Sequence, residues 1–154
     1  MFNNILNRLK TRKECNEFLK HRFYTDEFSI NGYKMSYDFD LASGGSFFVY
    51  FNEKEIAKAD MHFNYPNAEL HRIYVVEEYR LKGIGTTMLT KIIEWCKERN
   101  ITRIKVHPYA EHSKKFFEQG LTKGLPQDLL IDFYKKCGFT EEKDEYLYAN
   151  INRG

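Results

Sequence analysis

Val75-Val76-Glu77-Glu78-Tyr79-Arg80-Leu81-Lys82-Gly83-Ile84-Gly85-Thr86-Thr87-Met88-Leu89 is the stretch on which the fold turns. The residues before it, Leu70 to Val76, carry the β-branched Ile73, Val75 and Val76 and read as a strand. From Gly83 the apolar period changes. Gly85, Leu89, Ile92, Ile93 and Cys96 fall at helical spacing, so an amphipathic helix is predicted from Gly83 to about Arg99, with Asn100 as its stop. A strand therefore meets a helix across a turn holding Arg80, Lys82 and two glycines. The first N–H groups of a helix have no partner within it, and they carry a partial positive charge. Glycine lets that backbone approach a bulky anion, and the two basic residues add charge-assisted hydrogen bonds. The turn suits a phosphate or pyrophosphate. Taken alone it equally suits a tight connection with no ligand. Two familiar phosphate loops are excluded. Thr86-Thr87 follows Gly85 where a Walker loop needs Lys-Ser/Thr, and Met88 stands where a dinucleotide fingerprint needs its third glycine.

Working outward, the N-terminal side is rich in strands. Tyr33, Met35, Tyr37 and Phe39 alternate with polar residues, as in a half-buried strand. Asn31-Gly32 precedes them as a turn, and Ser43-Gly44-Gly45-Ser46 reads as a break. Phe47 to Phe51 and Ile56 to Phe63 continue an antiparallel meander through the turn Asn52-Glu53-Lys54. The first twenty or so residues look helical, with Ile5, Leu9, Phe18 and Leu19 as apolar positions. On the C-terminal side Ile101 to Val106 reads as a buried strand. A short helix is predicted around Ser113 to Gln119 and another from Pro126 to Cys137, with Gly138 at its C-cap. Tyr146 to Ile151 closes the chain as a strand. The order predicts an α+β, mixed α/β sandwich around one sheet, in a single domain spanning residues 1–154.

The whole chain narrows the function classes. A length of 154 residues and a net charge of +2 suit one soluble domain with no particular attraction to nucleic acid. The cluster Lys10, Arg12, Lys13 is interleaved with Glu14 and Glu17 and reads as a solvated helix face. Cys15, Cys96 and Cys137 are odd in number and widely spaced, which fits reduced thiols and neither a disulfide framework nor a structural zinc site. His107 and His112 form a poor metal constellation, so no metal is expected. The N-terminus lacks a signal-peptide apolar run and nothing reaches membrane-spanning length, so the expected compartment is the cytoplasm, with no membrane partner.

The Val75–Leu89 stretch closely resembles the central motif of the GCN5-related N-acetyltransferase family: a strand ending in Val, an acidic-aromatic turn, then Arg/Gln-x-x-Gly-x-Gly/Ala opening a helix. Phe133-Tyr134-Lys135-Lys136-Cys137-Gly138-Phe139 resembles the aromatic-Tyr-x-x-x-Gly-Phe of the family's later helix. The two motifs stand in the family's order with a strand between them, and the resemblance covers roughly residues 55–151. It implies a central, mostly antiparallel sheet with one splayed parallel pair and helices on both faces. It implies acetyl-coenzyme A as co-substrate, an amine acceptor, and direct transfer of the acetyl group to that primary amine; a homodimer is left open. The backbone of Ile73, Tyr74 and Val75 would pair with the pantetheine arm. The segment Arg80, Leu81, Lys82, Gly83, Ile84, Gly85 and Thr86 would hold the pyrophosphate. Gln127 and Leu130 depart from the family's Asn and Ala, which puts side-chain contacts to the pantetheine on that side in doubt. The stretch 108–126 is longer than the family's usual connection and reads as an insertion or a substrate-facing lid. The tail from Asp128 to Phe139 also looks like that of small phage-encoded acetyltransferases, which keeps a protein lysine among the acceptors.

Acyl transfer to an amine needs a neutral amine, a stabilised thioester oxygen and a protonated leaving thiolate. By the resemblance Tyr134 is the general acid, although Leu130, Phe133, Tyr134 and Cys137 share one helix face and Tyr134 equally suits packing. Glu69 stands at the position of the base in the family's protein-lysine acetyltransferases. His71 shares its face on a regular strand. Glu69, His71, a water chain and a merely solvated strand end all stay open. An alternative is a catalytically inactive module of the same fold that binds coenzyme A or a protein partner, and a nucleotide-binding role is more distant.

Overall fold

The computed structural model describes residues 23–80, 82–108 and 127–151. Among them are eight strands in one sheet and two α-helices: β1 (Phe23–Ile30), β2 (Tyr33–Asp40), β3 (Gly44–Phe51), β4 (Lys54–Asn64), β5 (Asn67–Val75), α1 (Ile84–Glu98), β6 (Arg103–Val106), α2 (Gln127–Lys136), β7 (Glu141–Lys143) and β8 (Tyr146–Asn150). The strand order is β1-β2-β3-β4-β5-β6-β8-β7. Every neighbouring pair is antiparallel except β5 and β6. This is the mixed, mostly antiparallel sheet with one parallel pair that the resemblance implies.

Period-two alternation decides which face is buried. Phe39, Phe47, Met61, Phe63 and Leu70 point to one face and are buried there. α1 supplies the opposing surface with Met88, Leu89, Ile92, Trp95 and Cys96. Its indole, Trp95, lies with ring centroids 4.9 Å from Phe39 and 5.3 Å from Phe63. Aromatic pairs at this spacing add to the area they bury. The alternate residues of β4 and β5, among them Lys58, Asp60, His62, Glu69 and Arg72, face the other way and are polar.

Two bulges reshape the central strands. Val49 pairs with Ala57 while Tyr50 pairs with Glu55, so Ile56 is an extra residue in β4. Met61 pairs with Leu70 while Asp60 pairs with Arg72, so His71 is an extra residue in β5. Next to the second bulge Arg72 Nε donates to Asp60 at 2.7 Å, and Ser46 donates to the other oxygen at 2.7 Å. Burial pushes the Asp60 carboxyl up. The bonds from Ser46 and Arg72, with the charges of Lys58 and Arg72, outweigh it and hold the group below the usual carboxylate range. Asp60 is thus occupied by neighbours of its own sheet.

Some expectations need correcting. Gly44 and Gly45 do not break the chain but begin β3. A side chain at Gly45 would collide with the Asp38 carbonyl oxygen of β2, so the glycine permits close strand approach and not a loop. β5 begins at Asn67, earlier than the apolar run suggests, which places Glu69 inside the strand. β1 and β7 were not anticipated. β7 is Glu141-Glu142-Lys143, wholly exposed and without apolar alternation. The expected N-terminal helix with Cys15, the residue Leu81, and the stretch 109–126 with its short helix lie outside the described residues.

Candidate functional site

The site is built where β5 and β6 part. The two strands pair only from Asn67 with Arg103 to Leu70 with Val106. β6 then ends, while β5 runs on through the His71 bulge to Val75. The direction of the main chain there follows from its ladder with β4. Val76 N–H donates to the Ile56 carbonyl at 2.8 Å. Antiparallel bonding alternates, so Tyr74 and Arg72 also direct their main-chain groups at β4. Ile73 and Val75 turn theirs to the opposite side, where β6 no longer runs. Of the three residues expected to pair with a pantetheine arm, Tyr74 therefore presents its backbone to the sheet. Its side chain is buried beneath the Arg80 guanidinium, 5.5 Å from the ring centroid.

After Val75 the chain makes one 3₁₀ turn, Glu77–Tyr79, and reaches α1. Arg80 folds back and its Nε donates to the Val75 carbonyl at 2.8 Å, tying the strand end to the helix start. Lys82 is exposed and lies 5.4 Å from the Tyr79 ring centroid. Gly83 is the N-cap, in the left-handed region at φ 79°, with no side chain capping the helix. An ordinary residue there would be strained. The Gly83 carbonyl accepts from Thr87 N–H at 3.0 Å and from the Thr87 hydroxyl at 2.9 Å. The N–H groups of Ile84, Gly85 and Thr86 precede the first intrahelical donor and point out of the helix end. Among the described residues, nothing beyond its chain neighbours lies within 4 Å of where a Gly83 Cβ would stand.

α2 packs on this same helix end. A Cβ on Gly85 would lie 3.1 Å from Cζ and 3.2 Å from Cε1 of Phe133. We therefore expect Gly85→Val to overpack this contact and cost about 1–3 kcal/mol, read as a lowered melting temperature. An unchanged melting temperature would mean that the ring moves aside freely. Beyond Phe133, α2 ends in a Schellman turn: Gly138, at φ 109°, follows the helix, and Phe139 N–H donates to the Tyr134 carbonyl at 3.0 Å. That reversal brings the Phe139 ring to 5.7 Å from Tyr134. Tyr134 is 2% exposed. Burial pushes its phenol well above the ordinary tyrosine value, so it remains a neutral O–H donor across the neutral range. Burial also raises the thiols of Cys96 and Cys137, which suits packing and not nucleophilic attack.

On the polar face, near the end of the paired part of β5, Glu69 sits between Lys105 and His71. Its carboxylate lies 3.8 Å from Lys105 Nζ and 4.0 Å from His71 Nε2. His62 stands opposite Glu69 on β4, with its ring centroid 5.6 Å from that of His71. Glu69, Lys105 and His62, with Asn67, Arg103 and Tyr148, border a cleft of about 570 Å³, and His71 lies beside it through its contacts with Glu69 and His62. Glu69 and His71 thus share a neighbourhood, as expected. Tyr134 shares no described contact with either. Sequence reasoning missed His62, Arg103, Lys105 and Tyr148. Their signal was present as the polar half of each strand's alternation, but only strand pairing brings them together. Among the described residues no group of three His, Cys, Asp or Glu side chains is placed to hold a metal ion. No helix among them is long and apolar enough to cross a membrane.

Comparison with known proteins bears on this geometry. A model of the acetyltransferase (GNAT) family matches residues 11–139. An uncharacterized N-acetyltransferase of Methanocaldococcus jannaschii is 33% identical over 76 residues, covering 49% of this chain and 27% of its own length. Streptothricin acetyltransferase A of Bacillus subtilis is 32% identical over 108 residues, covering 58% of this chain and 62% of its own length. The chain thus spans less than two thirds of either relative. Among solved structures, the PaiA N-acetyltransferase of Thermoplasma acidophilum in complex with coenzyme A aligns with a TM-score of 0.53 at 21% identity, over 70% of this chain and 61% of that one. At that identity the likeness is one of fold.

Proposed function

Because the chain belongs to the acetyltransferase (GNAT) family, we propose that it moves an acetyl group directly from acetyl-coenzyme A to a primary amine. One observation carries this reading. The strand whose Ile73 and Val75 main-chain groups lie beyond the end of β6 is followed, after one 3₁₀ turn, by a helix N-terminus with Gly83 at its N-cap. An extended amide-bearing arm ending in a pyrophosphate needs both features in that order. Ladder-like main-chain bonds suit the amides, and convergent N–H donors beside Arg80 and Lys82 suit the anion.

Acetyl-coenzyme A supplies the thioester carbonyl and the thiolate leaving group. The chain's own residues then have three tasks. The N–H groups of Ile84, Gly85 and Thr86 hold the pyrophosphate. Glu69 takes a proton from the acceptor ammonium, so that the amine nitrogen can attack. The Tyr134 hydroxyl donates to the sulfur as the carbon–sulfur bond breaks, and the carbon–nitrogen bond replaces it. We assign the chain to the cytoplasm, where the free thiols of Cys96 and Cys137 would stay reduced.

The test is thiol release from acetyl-coenzyme A with a panel of amines and with a cell extract, followed by mass spectrometry of the products. Acetylated product and stoichiometric thiol are expected. Tight coenzyme A binding with no turnover on any acceptor would replace the enzyme by a binding module of the same fold. Stabilisation by a nucleotide alone would remove coenzyme A from the site.

A further inference from the structure

The polar-face cleft has a charge pattern that selects among amines. Glu69 is the one carboxylate among its described lining residues, and Lys105, Arg103 and His62 face it. Lys105 is held in place from two sides: its Nζ is 3.8 Å from Glu69 and 4.7 Å from the Tyr146 ring centroid. Arg103 lies flat on Tyr148, 3.9 Å from the ring centroid, and gives one amino group to Glu141 at 2.7 Å. Its Nε is buried and has no hydrogen-bond partner among the described residues. On β6 these two cations share a face, about 7 Å apart at roughly 3.3 Å per residue. Lys105 stands directly across from Glu69.

A polyamine entering this cleft would bring positive charge against Lys105 and Arg103. A ligand that carries an anion beside its amine meets both signs correctly. We infer that the cleft takes a small amine bearing a carboxylate or phosphate group, with the amine at Glu69 and the anion on Lys105 and Arg103. The inference rests on the acetyl-transfer reading of the site. The volume, about 570 Å³, lies within the range of small-molecule sites, roughly 300–1,000 Å³, and is small for a folded protein acceptor. The arrangement also gives Lys105 two partners. Without acceptor it neutralises Glu69; an incoming anion draws it away and leaves the carboxylate free to accept the proton.

The experiment uses matched pairs: propylamine against β-alanine, and ethanolamine against phosphoethanolamine, which separate carboxylate from phosphate. Spermidine and a lysine peptide of acidic sequence complete the set. kcat/KM is read from thiol release, and acceptor Kd by calorimetry on the protein loaded with coenzyme A. The anion-bearing member of at least one pair is expected to be favoured about tenfold or more, as two charge-assisted contacts allow. Lys105→Met should collapse that ratio, and Lys105→Arg should largely keep it, with the melting temperature of each variant as the folding control. The inference fails if spermidine, the amines without an anionic group or only the peptide are favoured, or if Lys105→Met leaves the ratio unchanged. Preferential turnover on spermidine would overturn it and leave acetyl transfer standing. Anion-selective binding with no turnover would support the cleft's selectivity and overturn the transfer reading.

Discussion

Replacing Tyr134 with Phe is expected to slow acetyl transfer by about 10²–10⁴ while leaving coenzyme A affinity intact. The substitution is clean because of where the ring sits. Tyr134 is 2% exposed and wedged at 5.4 Å from Phe133 and 5.7 Å from Phe139, edge to face with both. Phe keeps that packing and removes one oxygen, so the melting temperature should hardly move. Burial raises the phenol, so at neutral pH the group is a proton-bearing donor and never an anion. An ordinary phenol is already a weaker acid than a thiol, about 10 against about 8.5, and burial of Tyr134 widens that gap. Its contribution is then a hydrogen bond to sulfur that strengthens as negative charge develops there. Single-turnover rates at several pH values, beside calorimetric binding of coenzyme A, measure both halves. A rate equal to that of the unaltered protein would make Tyr134 a packing residue and nothing more.

How much of this was readable beforehand depended on whether a feature is local. The turn from Val76 to Gly83 and the ending of α2 at Gly138 are set by residues adjacent in sequence. The left-handed φ values of both glycines, 79° and 109°, are what those positions required. The face of α1 was equally plain from Leu89, Ile92 and Cys96. The bulge at His71 was not legible, because it is defined by β4 as much as by β5: nothing in Leu70-His71-Arg72 says that Asp60 skips a partner. The cleft was hidden for the same reason. Glu69 and Lys105 are far apart in the chain and meet only through parallel pairing of strands joined by a helix. The cations at Arg103 and Lys105 looked like the ordinary exposed half of a strand. The glycines at 44 and 45 misled in the other direction, since the demand for close backbone approach leaves the same mark in sequence as the demand for a turn.

Glu69→Gln tests the other half of the chemistry and should have the second large effect, a loss of about 10²–10⁴ in kcat/KM. Glutamine keeps the size of the side chain and can still meet Lys105, but it cannot accept a proton. The pH–rate profile matters more than the loss itself. With Glu69 as base, the limb that reports deprotonation of the base should vanish in the glutamine variant and survive in His71→Ala. The geometry favours that outcome. Glu69 is within the paired part of β5 at the point where β6 ends, with a side chain only 26% exposed, whereas His71 is the bulged residue and 55% exposed. His71 lies 4.0 Å from the carboxylate, near enough to pass its proton onward to solvent. On that account His71→Ala should lower turnover modestly and leave the limb in place. If the limb disappears in His71→Ala and persists in Glu69→Gln, the roles are exchanged. If it persists in both, the proton leaves through water, and Glu69 serves mainly as the counter-charge that holds Lys105 at the mouth of the acceptor cleft.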